Sequence, residues 1–162
     1  MKARENGFSL VELLMVVVLI GIMAGIAMQS LTVAVEDTRR IETEHKLELV
    51  ANAIVGDPQK MHDGVRSDFG YVGDVGSFPP NLNALYTNPG YSTWQGPYVQ
   101  TKLAQDTVSF RKDAWGKDLT YVGGLTVTSP GNGTPMTKRL ADSTADYLIN
   151  TVNGLVRDKN DS

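Results

Sequence analysis

The chain of 162 residues has no cysteine. That excludes a disulfide framework, thiolate metal sites, haem attachment through Cys-x-x-Cys-His and a cysteine nucleophile. It says little about redox compartment, because a cysteine-free chain is at home anywhere. Proline is missing between Phe8 and Pro58, so nothing in that stretch forces a helix to break. Apart from Phe8, every aromatic residue lies at Phe69 or beyond. Excess charge of either sign is also missing: 15 Lys and Arg stand against 18 Asp and Glu, a net charge of −3. The basic residues are scattered among acids rather than clustered, which is not the footprint of a nucleic-acid binder. No Gly-rich phosphate loop occurs, nor a nucleophile elbow for Ser/His/Asp catalysis. The two histidines, His45 and His62, fall on a helix surface and in a polar loop, and no third ligand keeps metal spacing with them. Asn132-Gly133-Thr134 fits the glycosylation pattern only as a short match in a loop.

What the chain does have is a long apolar run with an acid at its edge. Leu13 to Met28 carries no charged or polar side chain, and Glu12 precedes it directly. A charge near the middle of a membrane span costs roughly 2.5–3.5 kcal/mol, so an acid kept there points to function. The run alone is roughly 24 Å long as a helix, and adding Phe8 to Val11 reaches the ~30 Å of a hydrocarbon core. Two simpler readings stand beside this one. Glu12 is close enough to the end of the run to snorkel to the interface, and Gly25-Ile26-Ala27 could pass as a signal-peptide cleavage site. A conventional signal core, however, has no use for an acid at Glu12.

Beyond the run, Leu47, Val50, Ala51 and Ile54 fall at i, i+3, i+4 and i+7 on one helical face, and Gly56-Asp57-Pro58 is a stop signal. One continuous helix is therefore expected from Phe8 to Val55. Met61 to Gly76 reads as an ordered loop, and Leu82 to Tyr86 as a short helical turn after Pro79-Pro80. Thr107 to Arg111 alternates like a strand. Leu119 to Val122 pairs with Leu125 to Thr128 across Gly123-Gly124, a hairpin turn. Ser129 to Gly133 is a loop, and Tyr147 to Val156 gives a final strand or second hairpin. The expected fold class is α+β, a long N-terminal helix packed on a small antiparallel sheet.

Gly7-Phe8-Ser9-Leu10-Val11-Glu12-Leu13-Leu14, preceded by a short polar leader, resembles the processing and assembly motif of type IV pilins and of the pseudopilins of type II secretion. The resemblance implies cleavage between Gly7 and Phe8 by a prepilin peptidase, N-methylation of Phe8, and a role for Glu12 in assembly. In that family the acid pairs with the N-terminal amine of a neighbouring subunit, so its charge is neutralised only when a partner arrives. The implied organisation is a leader at 1–7, a transmembrane and filament-core helix at 8–30, its amphipathic continuation at 31–55, and a globular periplasmic head at 56–162. Gly21 and Gly25 form a Gly-x-x-x-Gly that permits close helix packing. Many type IV pilins carry a proline a few residues further on, and this chain has none there.

Within the head, Gly96-Pro97-Tyr98-Val99 followed by Asp113-Ala114-Trp115-Gly116 is similar to the major pseudopilin of type II secretion, and Phe78-Pro79-Pro80 fits its preceding segment. Trp115 and Tyr98 are expected to bury apolar area against the helix. The implied function is that of a structural subunit, not an enzyme. It would be a homo-oligomer in a helical periplasmic fibre, working with other pseudopilins and an inner-membrane assembly platform. The precursor would be a single-pass protein of the bacterial inner membrane with its head in the periplasm. The alternatives are a type IV pilin or minor pilin of a surface appendage, or a membrane-anchored enzyme or sensor. The major pseudopilin also carries a calcium-binding acidic loop near its C-terminus. Here Asp142 with Asp146, or Asp158 with Asp161, could supply oxygens, but Arg157 and Lys159 are interleaved with the latter pair and argue against a dense hard-cation site.

Overall fold

A computed structural model describes residues 9–99 and 108–148. Helix α1 runs without a break from Leu10 to Val55. It starts at Ser9, whose Oγ accepts the Val11 N–H at 3.3 Å and so satisfies one of the donors orphaned at a helix start. It stops where the sequence says it should. Gly56 takes a positive φ of 83°, and its N–H closes the last turn on the Asn52 carbonyl at 2.8 Å. The stop is also fixed from outside the helix: Arg66 Nη2 donates to the carbonyls of Val55 at 2.7 Å and Gly56 at 3.1 Å. A cation on the last carbonyls is favoured by the helix dipole.

The chain divides into two compact units, Met1–Arg40 and Ile41–Ser162. In the first, the apolar side chains are open: Leu10, Leu13, Ile20 and Ile22 are all more than half exposed. The helix is long and apolar enough to cross a membrane. Thr32 and Thr38 return their hydroxyls to the carbonyls of Met28 and Ala34, four residues back, so neither breaks the helix.

In the second unit, Leu47, Val50, Ala51 and Ile54 are all buried, as their spacing requires. They form one wall of a core completed by Tyr71, Leu85, Val99, Leu119 and Val127. Each such aliphatic side chain contributes about 1.5–3 kcal/mol by leaving water. Strands β3 (Thr120–Val122), β4 (Thr126–Ser129) and β5 (Met136–Arg139) make an antiparallel sheet in the order β3-β4-β5. The expected hairpin across Gly123-Gly124 is present, with Val122 opposite Thr126. Val127 and Ser129 share the buried face of β4, two residues apart. The turn at Leu82 to Leu85 is a 3-10 helix, also as expected.

Four segments differ from the sequence reading. Met61 to Gly76 is not a loop throughout. It holds a hairpin of β1 (Met61–His62) and β2 (Val65–Arg66), then helix α2 (Gly70–Val75). Asp63 and Gly64 both take positive φ in the turn between the strands, the conformation a two-residue hairpin demands. His62 accordingly lies in β1 rather than a loop. Of the expected strand at Thr107 to Arg111, the described part is not one: Ser109–Arg111 is a 3-10 turn closed by Arg111 N–H on Val108 O, while Thr107 lies outside the described residues. Strand β5 was not expected, because an edge strand reading Met-Thr-Lys-Arg has little apolar alternation to reveal it. Tyr147 and Leu148 are helical, in α3 (Ala145–Leu148), since Asp146 organises the preceding turn; residues 149–156 lie outside the described residues.

Candidate functional site

The start of α1 is the candidate assembly site. Gly7 and Phe8 lie outside the described residues. Glu12 sits in the first turn of α1, where the dipole favours an acid. Ser9 and Glu12 have the spacing of a capping box, in which the acid at the third helical position bonds back to the cap residue's N–H. Neither bond of that box is made among the described residues: Ser9 Oγ accepts the N–H of Val11, at the second helical position rather than the third. Among the described residues the Glu12 carboxylate has neither a hydrogen bond nor an ion pair, so it is available to a group from elsewhere.

Gly21 and Gly25 are four residues apart and so lie on one face of α1. A Cβ built on either would meet nothing within 4 Å. That stretch of helix surface is open for another helix to approach closely.

In the second unit, the residues singled out by sequence are architectural. Tyr98 donates its hydroxyl to Asp74 Oδ2 at 2.7 Å and accepts the Gln95 N–H at 3.1 Å. Burial together with Asp74 pushes its pKa up to about 12. Its ring meets Tyr71 and Trp94 edge-on, at 5.6 and 5.7 Å. The indole that packs on the core is Trp94, whose Nε1 donates to Ala84 O at 2.9 Å. Trp115, expected in that role, is half-buried. Nothing in the linear pattern separated the two tryptophans.

Asp113 is the centre of a polar node. Its Oδ1 accepts the N–H groups of Trp115 and Lys117 at 3.0 and 2.8 Å, and its Oδ2 accepts the Ser129 hydroxyl at 2.7 Å. The next residue, Ala114, donates its N–H to Thr43 Oγ1 at 3.1 Å. The Asp-x-Trp-Gly segment thereby docks on the second part of α1.

The calcium candidates are engaged in protein contacts where they are described. Asp146 accepts the N–H groups of Asp142 and Ser143 and the Ser143 hydroxyl, all at 2.8 Å, and these bonds hold its carboxyl below the usual range. Asp142 pairs with Arg139 at 2.9 Å. Asp158 and Asp161 lie outside the described residues. Among the described residues no group of three or more His, Asp and Glu could hold a metal ion. A cleft of about 830 Å³ lies beside His45, Leu49, Tyr98 and Phe110. His45 is exposed there, as its place on the helix suggested.

Against known families, residues 2–28 match the prokaryotic N-terminal methylation motif. No curated protein and no solved structure matches the chain significantly. The match supports the type IV pilin and pseudopilin superfamily, whose motif is structural rather than enzymatic. It covers Gly7, Phe8, Glu12, Gly21 and Gly25 together.

Proposed function

We propose that the chain is a structural subunit of a type II secretion pseudopilus, a helical periplasmic fibre that assists protein export across the outer membrane. The observation that carries this reading is the methylation motif at residues 2–28 running directly into an unbroken helix from Leu10 to Val55. The precursor spans the inner membrane once, with its head in the periplasm. A prepilin peptidase cuts Gly7 from Phe8 and the new amine is methylated. On entry into the fibre, Glu12 pairs with the Phe8 amine of a neighbouring copy, because a lone charge in low dielectric is costly. The assembly platform and other pseudopilins supply the remaining contacts. The Gly-Pro-Tyr and Asp-x-Trp-Gly segments, which build the Tyr98 and Asp113 nodes, favour the secretion branch.

One observation favours the second reading, a type IV pilin or minor pilin of a surface appendage. The segment after α1 holds a hairpin and a helix of its own, unlike the compact segment that a resemblance to the major pseudopilin leads one to expect there.

Mass spectrometry of the membrane-extracted protein tests the shared part of both readings. It should find methylated Phe8 at the terminus, whereas a mature start near Met28 would mean conventional signal cleavage and end the filament reading. Deleting the gene separates the branches. Lost protein export with surface fibres intact supports the pseudopilus, and the reverse supports a pilin.

A further inference from the structure

Asn132 and Gly133 lie in the connection between β4 and β5, and both are exposed. The backbone nitrogen of the residue after an asparagine can attack the asparagine's own side-chain carbonyl carbon. A side chain on that following residue crowds the attack, and a hydrogen bond made by its N–H opposes it. Gly133 presents neither obstacle. It has no Cβ, and one built there would meet nothing within 4 Å, so the space around it is open. Among the described residues its N–H donates no hydrogen bond. The other described asparagines lack this combination. Asn52 is inside α1, where the next N–H is tied into the helix ladder. Asn88 precedes Pro89, which has no N–H to give. Asn81 and Asn83 precede Leu82 and Ala84, which carry side chains, and the Ala84 N–H is bonded to the Asn81 carbonyl at 3.2 Å.

We propose that Asn132 is a site of spontaneous deamidation, with water as the only co-reactant. The Gly133 nitrogen bonds to the Asn132 side-chain carbonyl carbon, and that carbon's bond to the amide nitrogen breaks. The proton lost by Gly133 leaves with the departing group as ammonia. Water then opens the cyclic imide at either carbonyl, giving aspartate or isoaspartate, the latter with a main chain lengthened by a methylene. Either product puts a carboxylate in place of a neutral amide, one residue from a cation held at this loop: Lys117 Nζ donates to Gly131 O at 2.6 Å. The Gly131 N–H is bonded in turn to Ser129 Oγ, whose hydroxyl serves Asp113. The modification therefore falls beside the Asp113 node. The site does not depend on the filament reading.

The test incubates the full chain in detergent micelles in mildly alkaline buffer, with tryptophan fluorescence confirming that it stays folded. Aliquots are digested with trypsin at mildly acidic pH, and the peptide from Asp118 to Lys138 is followed by mass spectrometry. That peptide holds no other Asn or Gln, so an amide-to-acid mass shift in it reports Asn132 alone. The Asn6-Gly7 and Asn153-Gly154 pairs fall on other tryptic peptides. A synthetic copy of the 118–138 peptide, incubated in parallel, gives the rate without a fold. Progressive conversion of the folded chain is expected, within severalfold of the free peptide and much faster than at Asn81 or Asn83. It should speed up as pH rises, because the attacking nitrogen must lose its proton. Electron-transfer fragmentation should find both isoaspartate and aspartate. Asn132→Gln, which would need a larger ring, should lose the shift. The proposal is overturned if Asn132 stays intact in the folded chain while the free peptide converts, or if Asn132→Gln shows the same mass shift at the wild-type rate.

Discussion

Asp113 and Ser129, sixteen residues apart, are joined by a buried hydrogen bond of 2.7 Å from the serine hydroxyl to the carboxylate. Burial alone would raise the Asp113 pKa. The donors outweigh it, with Ser129, Lys117, Trp115 and Gly131 together holding the carboxyl below its usual 3.8. A depressed folded-state value means that the ionised form stabilises the fold. That stability is fully present above the unfolded value and is lost as pH falls through the folded one. Asp68 acts in the same direction, because Lys60 at 2.8 Å and the Gly70 N–H outweigh its burial. Denaturant midpoints should therefore stay level from neutral pH to about 5 and fall below about 4. Asp113→Ala should lower stability at neutral pH by about 2–3 kcal/mol, since it strands buried donors. Its acid decline should be shallower than that of the wild type.

Arg66 closes α1 from a strand ten residues beyond its end. Its guanidinium serves two helix carbonyls and also the Asp68 carbonyl at 3.0 Å. Arg66→Met keeps the aliphatic stem and removes all three bonds. The expected cost is about 1–2 kcal/mol. Hydrogen exchange should show the last turn, Asn52 to Val55, losing protection before the sheet does.

The second part of α1 belongs structurally with the head, because Thr43, Leu47, Val50 and Ile54 are among its most buried side chains. A fragment starting near Val35 should therefore be soluble, folded and monomeric by light scattering. A fragment starting at Gly56 loses that wall of the core and should not fold. Stable oligomers of the longer fragment would place the main assembly contacts in the head, against the expectation here.

These outcomes bear on what the sequence alone could reveal. The core face of α1 was legible because four apolar residues repeat at helical spacing over two turns. The Gly123-Gly124 hairpin was legible because its flanks are β-branched and its turn residues tolerate positive φ. Strand β5 was hidden by its polarity, and β1 and β2 by having only two residues each beside Asp63-Gly64. The Asp113 node could be named as a motif, but not as a node. Its partners Ser129 and, through Ala114, Thr43 are brought in by tertiary folding, and no local pattern announces them. At the other end of the chain, the motif around Gly7, Phe8 and Glu12 could be read directly, since its meaning lies in order and spacing rather than in folding.

Glu12→Ala is the most direct measurement of whether this chain assembles through its N-terminal acid. The substitution removes an acid from the edge of an apolar run, so membrane insertion should be unimpaired or eased. Cleavage after Gly7 should be normal. The Phe8 amine, however, would enter the fibre core unpaired, where breaking a charge pair costs about 3–5 kcal/mol. Shearing and pelleting of assembled fibres, with membrane fractions as control, should therefore give wild-type membrane levels but little or no fibre. Fibre recovered from Glu12→Ala at wild-type yield would contradict assembly by charge pairing.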